Sequence, residues 1–409
     1  MTSPPNFSYK PFIRNSAFTR LTFFFQRKNK TLDIRHPFID TPSNLDKALK
    51  ELTKEKAIAV DLESDSMYHF SEKVCLIQVA GEESSFLFDP LLPLDLSPLK
   101  DIFRNPAIKK VFHGADYDIR SLYRDFSFEV NPLFDTQIAC RYLGMKETGL
   151  EAVLKEFFEV SLNKKYQKKD WSQRPLPEEM VEYAANDVRY LLPLEKILEK
   201  NLENLKRLDW VLEDCDLLSQ VRPAQANHNP LFFSFKGAGA FPRKDLGLLE
   251  ALLQLRKRMA MQKDKPPFKI FQNTVIERIV ASKPQSLSQL KSLNLLSSGQ
   301  IEMYGQPFLE TIETALASSE TNLPAYPRKK ARPLKESEQK RILRLKEWKD
   351  MKAEELQIDP SLVLNKSLMT AIAVCHPKKV EDLEPIKEMR RWQIREFGPD
   401  ILSLLGQKK

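Results

Sequence analysis

The chain contains few cysteines and histidines, and their scarcity excludes two kinds of site. Four cysteines occur among 409 residues (Cys75, Cys140, Cys215 and Cys375), and no two form a C-x-x-C pair. The five histidines are not spaced from these cysteines in the way that zinc ligands are. The sequence therefore indicates neither a disulfide framework nor a zinc site. This cysteine usage suits a reducing compartment, and we expect the protein in the cytoplasm.

Long apolar runs and glycine-rich nucleotide motifs are also missing. No stretch approaches the ~18 apolar residues of a membrane span, and "LTFFF" (21–25) is too short for the core of a signal peptide. Neither a Walker motif nor G-x-G-x-x-G occurs, which argues against a nucleotide-driven motor. The apolar content of 42% is enough for two or three globular domains.

Acidic residues are scarce at the two ends of the chain, where the net charge of +8 is concentrated. Residues 1–35 carry seven Lys/Arg and one acid, and residues 320–409 carry twenty and fourteen, so each end has a charge of +6. Basic ends suit phosphate-rich partners, although solvated tails share this composition. We predict that residues 1–35 form a disordered basic arm, with a transit peptide as the alternative.

The remaining sequence predicts an α/β domain followed by helices. "AIAVDL", "KVCLIQVA" and "SFLFD" (57–62, 73–80 and 85–89) are predicted strands, and the nearly all-apolar second one is expected at the centre of the sheet. Helical and strand patterns then alternate. From residue 135 onward the pattern is nearly all helical, with a bend expected near Pro193, which lacks a donor NH.

Acidic residues recur at three places in this domain. Asp61 and Glu63 end the first strand and point to the same face, because strand side chains alternate. Asp118 falls in the helix after the strand "KKVFHG", and Tyr183 and Asp187 are four apart on one helix face. Taken singly, each could be an ordinary surface residue. If the four carboxylates converge, their repulsion requires hard divalent cations such as Mg²⁺ or Mn²⁺.

This ordered set resembles the DEDD family of 3′–5′ exonucleases, in the subgroup with tyrosine in its third motif. The stretches "VFHGADYDI", "FDTQIA" and "KKYQKKDWSQRPLPEEMVEYAANDVRYLLPL" (164–194) resemble ribonuclease D and its eukaryotic exosome-associated relatives. The resemblance covers residues 36–225. It implies a ribonuclease H-like exonuclease domain, of class α/β, with a mixed sheet and helices.

The resemblance also implies roles for the acids around two ions, Mg²⁺ or Mn²⁺. Asp61 is expected to bridge both ions, Glu63 and Asp187 to complete one shell, and Asp118 to hold the second ion. Tyr183 has an ordinary pKa near 10, so we expect it to orient the attacking water.

Three further residues are candidates for contact with substrate. Tyr68 and Phe70 follow the first strand and form a candidate stacking surface, with core packing as the alternative. His113 is the third. The resemblance gives it no ligand role, and we expect it to make a structural hydrogen bond.

A repeat occupies the C-terminal part. Residues 279–305 recur as residues 372–398, with the pairs Pro284/Pro377, Leu290/Leu383 and Gly305/Gly398 each 93 positions apart. Both copies resemble the all-α HRDC domain shared by RecQ-type helicases and ribonuclease D. We predict small helical domains at 243–318 and 336–407, joined by a Pro-rich linker at 319–335. The alternative is a helical packing module without nucleic-acid contact.

The expected activity is 3′–5′ hydrolysis of RNA with release of 5′-mononucleotides. The expected partner is RNA with a single-stranded 3′ end, above all tRNA precursors, and no membrane. The exonuclease fold is expected to be complete by about residue 225, with the C-terminal half holding the RNA body. Two alternatives stay open, a DNA 3′–5′ exonuclease and a catalytically weak RNA-binding scaffold; the tandem helical domains weigh against the first, and the four acids against the second.

Overall fold

The computed structural model describes residues 37–162, 164–224, 229–318, 324–327 and 332–406. The predicted arm at 1–35 and most of the predicted linker at 319–335 lie outside these residues. Across the described part, none of the helices combines the length and apolarity that a membrane span requires.

A six-stranded mixed sheet forms the centre of the N-terminal domain. Its strands are β1 (Phe38–Ile39), β2 (Ala57–Ser64), β3 (Val74–Ala80), β4 (Ser85–Phe88), β5 (Lys109–Phe112) and β6 (Leu133–Asp135). The spatial order is β1-β4-β3-β2-β5-β6. β3 is antiparallel to both of its neighbours, whereas β2, β5 and β6 run parallel. Every residue of β3 is buried, which confirms its predicted interior position.

In the described part of this domain, eight α-helices accompany the sheet. They are α1 (Pro42–Leu52), α2 (Leu99–Arg104), α3 (Asp116–Phe126), α4 (Thr136–Tyr142), α5 (Leu150–Phe158), α6 (Glu178–Arg189), α7 (Leu191–Asn204) and α8 (Leu208–Ser219). The predicted bend is a break between α6 and α7 at Tyr190. Pro193 becomes the third residue of α7, where its missing NH leaves no intrahelical bond unmade.

In the C-terminal part, helices are the only regular elements among the residues described. Its α-helices are α9 (Arg243–Gln262), α10 (Pro267–Ile270), α11 (Asn273–Ser282), α12 (Leu287–Ser292), α13 (Ser298–Ala317), α14 (Glu336–Leu356), α15 (Pro360–Val363), α16 (Lys366–Cys375) and α17 (Arg391–Gly406). Short 3₁₀ helices lie at Leu231–Ser234, Ala238–Ala240 and Val380–Leu383.

The repeated glycines mark equivalent close contacts. A Cβ on Gly305 of α13 would lie 2.7 Å from the side chain of Leu287, and one on Gly398 of α17 would lie 3.2 Å from Val380. In each copy the last helix therefore packs closely on the preceding helical turn at its glycine, and a larger residue would require the neighbouring side chain to shift. The sequence repeat reflects this repeated packing.

The two helical copies differ in how they pack against the sheet domain. The first copy, α9–α13, forms an apolar core of its own, to which Phe70 of the sheet domain adds a partly buried ring. The second copy, α14–α17, shares one continuous core with the sheet domain. In that core, Trp392 of α17 packs against Tyr142 of α4 and Trp210 of α8. That the exonuclease fold is complete near residue 225 stays a prediction.

Candidate active site

Three of the predicted acids meet at one end of the sheet, where β2 reaches its carboxyl end. Asp61 and Glu63 lie near the carboxyl end of β2, and Asp187 lies on α6, which packs against β2. One carboxylate oxygen from each of the three lies within 4.8 Å of the other two. The alternation along β2 and the helical spacing of α6 thus bring these side chains together as the sequence indicates.

Asp118 approaches the same end from α3. Because β2 and β5 are parallel, their carboxyl ends lie at the same end of the sheet. Helix α3 begins four residues after β5 ends. Among the residues described, the group within 4.8 Å does not include Asp118. Its charge nevertheless contributes to raising the pKa of both Asp61 and Glu63.

Burial disfavours the charged forms of all four carboxyl groups, and repulsion within the cluster adds to this at Asp61 and Glu63. Burial is the largest cause that raises the pKa of Asp61 well above its ordinary value, followed by the charges of Asp187 and Asp118. Burial, then Asp61, likewise raises the pKa of Glu63. Burial also raises the pKa of Asp187 to about 6 and that of Asp118 to about 7. A hard divalent cation would offset this repulsion, and the oxygen-only donor set fits Mg²⁺ or Mn²⁺.

Tyr183 lies one helical turn before Asp187 on α6, and its hydroxyl acts to lower the pKa of that carboxyl, against the larger effect of burial. Burial, followed by the charges of Asp187 and Glu63, raises the pKa of Tyr183 above its ordinary value. The side chain therefore stays a neutral phenol near pH 7. The rings of Tyr166 and Trp171 lie beside it, with centroids 6.0 and 6.1 Å away.

Asp135, which sequence reasoning missed, organises the turn that leads to Asp118. Its Oδ1 accepts hydrogen bonds from the backbone of Gly114 (3.0 Å) and Gln137 (2.7 Å), and its Oδ2 from that of Ala115 (2.8 Å). Gly114 has φ +74°, which favours glycine. The signal lies in "FDTQIA", where an aspartate precedes a helix start as an N-cap.

Arg174 was also missed, and it anchors the segment that carries Trp171. Its guanidinium forms a bidentate pair with the buried Asp89 (2.6 and 2.7 Å). It also donates to the carbonyls of Cys75 on β3 (2.7 Å) and Trp171 (2.8 Å). The arginine in "DWSQRPL" is the sequence signal. These bonds hold the aromatic neighbour of Tyr183 against the sheet.

His113 has the structural hydrogen bond that we expected. Thr136 donates its hydroxyl to the carbonyl of Phe112 (2.9 Å), so it accepts a hydrogen bond from Nδ1 of His113 (2.9 Å). Burial lowers the pKa of His113, which keeps the ring neutral. Substrate contact by His113 stays a prediction.

Tyr68 and Phe70 lie between the sheet domain and the first helical copy. The Tyr68 hydroxyl donates to the Lys168 carbonyl (2.8 Å), and the ammonium of Lys269 lies 4.2 Å from the centre of its ring. Phe70 packs, partly exposed, on the core of the first helical copy. Both rings therefore take part in packing, and their contact with substrate stays a prediction.

A cavity of about 400 Å³ opens beside Asp187, one of the four acids. It lies between α6 and the chain after α5, and its lining includes Asp187, Tyr183, Tyr166, Asn186 and Tyr190. Its volume is within the range of small-ligand sites. The arrangement offers acids that fit cations next to a space that admits a ligand.

Comparison with known proteins gives matches over both halves of the chain. Residues 37–203 match the 3′–5′ exonuclease family model, and residues 245–312 and 338–405 each match the HRDC domain. A ribonuclease D from Acidiphilium cryptum is 30% identical over 300 residues, which is 72% of this chain and 76% of that protein. The chain belongs to the ribonuclease D family. Ribonuclease D from Bartonella henselae is 29% identical over 90% of both chains.

Solved structures agree with this membership in the ribonuclease D family. RNase D from Escherichia coli covers 91% of this chain and 99% of its own, with 26% identity and a TM-score of 0.67. The catalytic core of RRP6 from Trypanosoma brucei covers 71% and 82%, with 29% identity and a TM-score of 0.59. The predicted α/β exonuclease fold followed by helical HRDC domains is confirmed. The exonuclease family is metal-dependent.

Proposed function

We propose that this 3′–5′ exoribonuclease of the ribonuclease D family removes nucleotides with two divalent ions, Mg²⁺ or Mn²⁺, held by its four acids. The observation that carries the proposal is the convergence of Asp61, Glu63 and Asp187 within 4.8 Å at this end of the sheet. Burial raises the pKa of all three carboxyl groups, so keeping them charged destabilises the fold. Such a cluster of perturbed acids supports a role in cation binding.

Bound divalent ions supply Lewis-acid catalysis of in-line displacement at phosphorus. Asp61 would bridge the two ions, Glu63 and Asp187 would hold one, and Asp118 the other. The neutral hydroxyl of Tyr183 would orient the attacking water. Cleavage of the bond between phosphorus and the 3′ oxygen leaves the phosphate on the released 5′-mononucleotide.

We propose RNA with a single-stranded 3′ end as the substrate, including tRNA precursors and other small structured RNAs. The E. coli relative is described as an exoribonuclease involved in structured RNA processing, which supports this choice. The cavity beside Tyr183 has room for a terminal nucleotide. A cytoplasmic location is part of the proposal, and the four unpaired cysteines support it.

The test is digestion of a 5′-labelled single-stranded RNA, a DNA of the same sequence and a tRNA precursor with a 3′ extension. We expect Mg²⁺- or Mn²⁺-dependent shortening of the RNAs from the 3′ end, loss of activity with EDTA, and slower cleavage of DNA. Faster cleavage of DNA, or shortening from the 5′ end, would contradict the proposed function. Failure on the tRNA precursor alone would reject that substrate class.

A further inference from the structure

A second cavity, of about 290 Å³, lies between the sheet domain and the first helical copy. Phe70 supplies one wall, from the loop that follows β2, and helix α9 supplies another. The volume is close to the lower end of the roughly 300–1,000 Å³ of small-ligand sites. It suits a single nucleotide unit rather than a duplex.

One part of the cavity is apolar and aromatic. Phe70 and Phe235 contribute rings, and Leu231 and Leu253 contribute aliphatic surface. Phe235 and Leu253 are buried in the core of the helical copy, which fixes that wall. Nearby, Phe268 is 48% exposed. Partly exposed aromatic rings are the surfaces on which unpaired bases stack.

The other part of the cavity is cationic. Arg256 uses Nη1 to bond the carbonyl of Phe271 (3.1 Å) and the side chain of Asn273 (2.8 Å). These bonds fix the guanidinium, and no other hydrogen bond of Arg256 is found within the described ranges. Lys257 is exposed and has no ion pair among the residues that the structure covers. The nine residues around the cavity include no acid, so its charge complements a phosphate.

The cavity is tied to the active site through the loop at 65–73. Phe70 is seven residues beyond Glu63, which places the two within roughly 25 Å along the chain. Asp264 of the helical copy accepts from the Phe70 NH (3.1 Å) and contacts Nδ1 of His69 (2.6 Å). Nε2 of His69 lies 3.0 Å from the hydroxyl of Ser172, next to the Trp171 that packs on Tyr183.

We propose that this cavity binds one nucleotide of the single-stranded RNA upstream of the 3′ end, with the base against Phe70 and the phosphate on Arg256 and Lys257. The proposal rests on the proposed function, because it assumes an RNA strand that reaches the acids. It assigns the first helical copy a direct part in holding substrate. The second copy, packed on the sheet domain, does not line this cavity.

The test uses Lys257→Gln, Phe70→Leu and a matched control, Lys291→Gln. Lys291 is an exposed lysine in α12 of the same helical copy, outside the cavity. We measure KM and kcat for an RNA of about twelve nucleotides and for a dinucleotide that is too short to reach the cavity. A salt series gives the slope of log affinity for the longer RNA.

We expect Lys257→Gln and Phe70→Leu to raise KM for the longer RNA about five-fold or more relative to the dinucleotide. Lys257→Gln should also lower the salt slope by roughly 0.7, the value for one phosphate contact on a single strand. Changes no larger than those of Lys291→Gln, or equal changes for both RNA lengths, would overturn the proposal.

The design separates this inference from the proposed function. If the wild-type protein hydrolyses neither RNA with Mg²⁺ or Mn²⁺, the proposed function is wrong. If it hydrolyses both RNAs while the cavity variants match the control, only the binding site is wrong.

Discussion

Trp210 of α8 and Trp392 of α17 stack face to face, with ring centroids 4.2 Å apart and ring planes inclined by 12°. Tyr142 of α4 meets both rings edge-on, at 6.1 and 5.7 Å. Around this stack, Asp214 pairs with Arg390 (2.6 Å). The second helical copy therefore shares a packed core with the exonuclease domain.

We predict that Trp392→Ala destabilises the whole sheet domain. Replacing a fully buried Trp by Ala costs about 3–5 kcal/mol, because it removes apolar contacts and leaves a cavity beside Trp210. Urea unfolding monitored by far-UV circular dichroism measures this loss. Leu343→Ala, at a position 60% exposed on α14, is the control and should cost little. The shared core would be contradicted if the variant unfolds in two separate transitions and the midpoint of the one assigned to the sheet domain does not shift.

Tyr183→Phe tests the role of the phenol. Burial keeps Tyr183 neutral, one helical turn from Asp187, so the variant loses the hydroxyl and keeps the aromatic packing. We predict a kcat lower by about 10²–10⁴, with KM little changed. Steady-state kinetics on single-stranded RNA at saturating Mn²⁺ provide the measurement. A wild-type kcat would show that the hydroxyl is dispensable.

The acids should make the metal-free protein less stable at higher pH. The folded pKa is about 7 for Asp118 and about 6 for Asp187, whereas an unfolded Asp has a pKa of about 3.9. Between these values the folded state holds more protons than the unfolded state. The free energy of unfolding therefore falls as pH rises through this window.

Urea unfolding in EDTA at pH 5.5 and pH 8 measures this effect. We expect Asp118→Asn/Asp187→Asn to weaken the pH dependence and to raise metal-free stability at pH 8. Saturating Mn²⁺ should stabilise the wild type at pH 8 more than the double variant. Equal pH dependence in the two proteins would contradict the assigned burial of these carboxyls.

Local pattern accounts for each pair of residues in the candidate site, but not for how the pairs come together. Asp61 and Glu63 share a face through strand alternation, and Tyr183 and Asp187 through helical spacing, so short-range geometry determines each pair. The resemblance supplied the order that joins the pairs, and the parallel pairing of β2 with β5 brings Asp118 to the same end of the sheet.

Long-range packing was not predictable in the same way. β1 and β6 contain two and three residues, which is too few for a periodic signal, and they exist because neighbouring strands complete their hydrogen bonds. The contact between Trp210 and Trp392 joins residues 182 positions apart, and nothing in the local sequence identifies either ring's partner. The roles of Asp135 and Arg174 likewise depend on backbone groups brought close by folding.

The most direct test of the central claim compares Asp61→Asn with Asp116→Asn for release of 5′-mononucleotides from single-stranded RNA in Mg²⁺. Asp61 belongs to the acid cluster, whereas Asp116 is an exposed acid at the start of α3 that pairs with Arg120 (2.9 Å). We predict that Asp61→Asn folds normally and releases no mononucleotide, while Asp116→Asn keeps the wild-type rate. Release by Asp61→Asn at the wild-type rate would contradict a metal-dependent site built on these carboxylates.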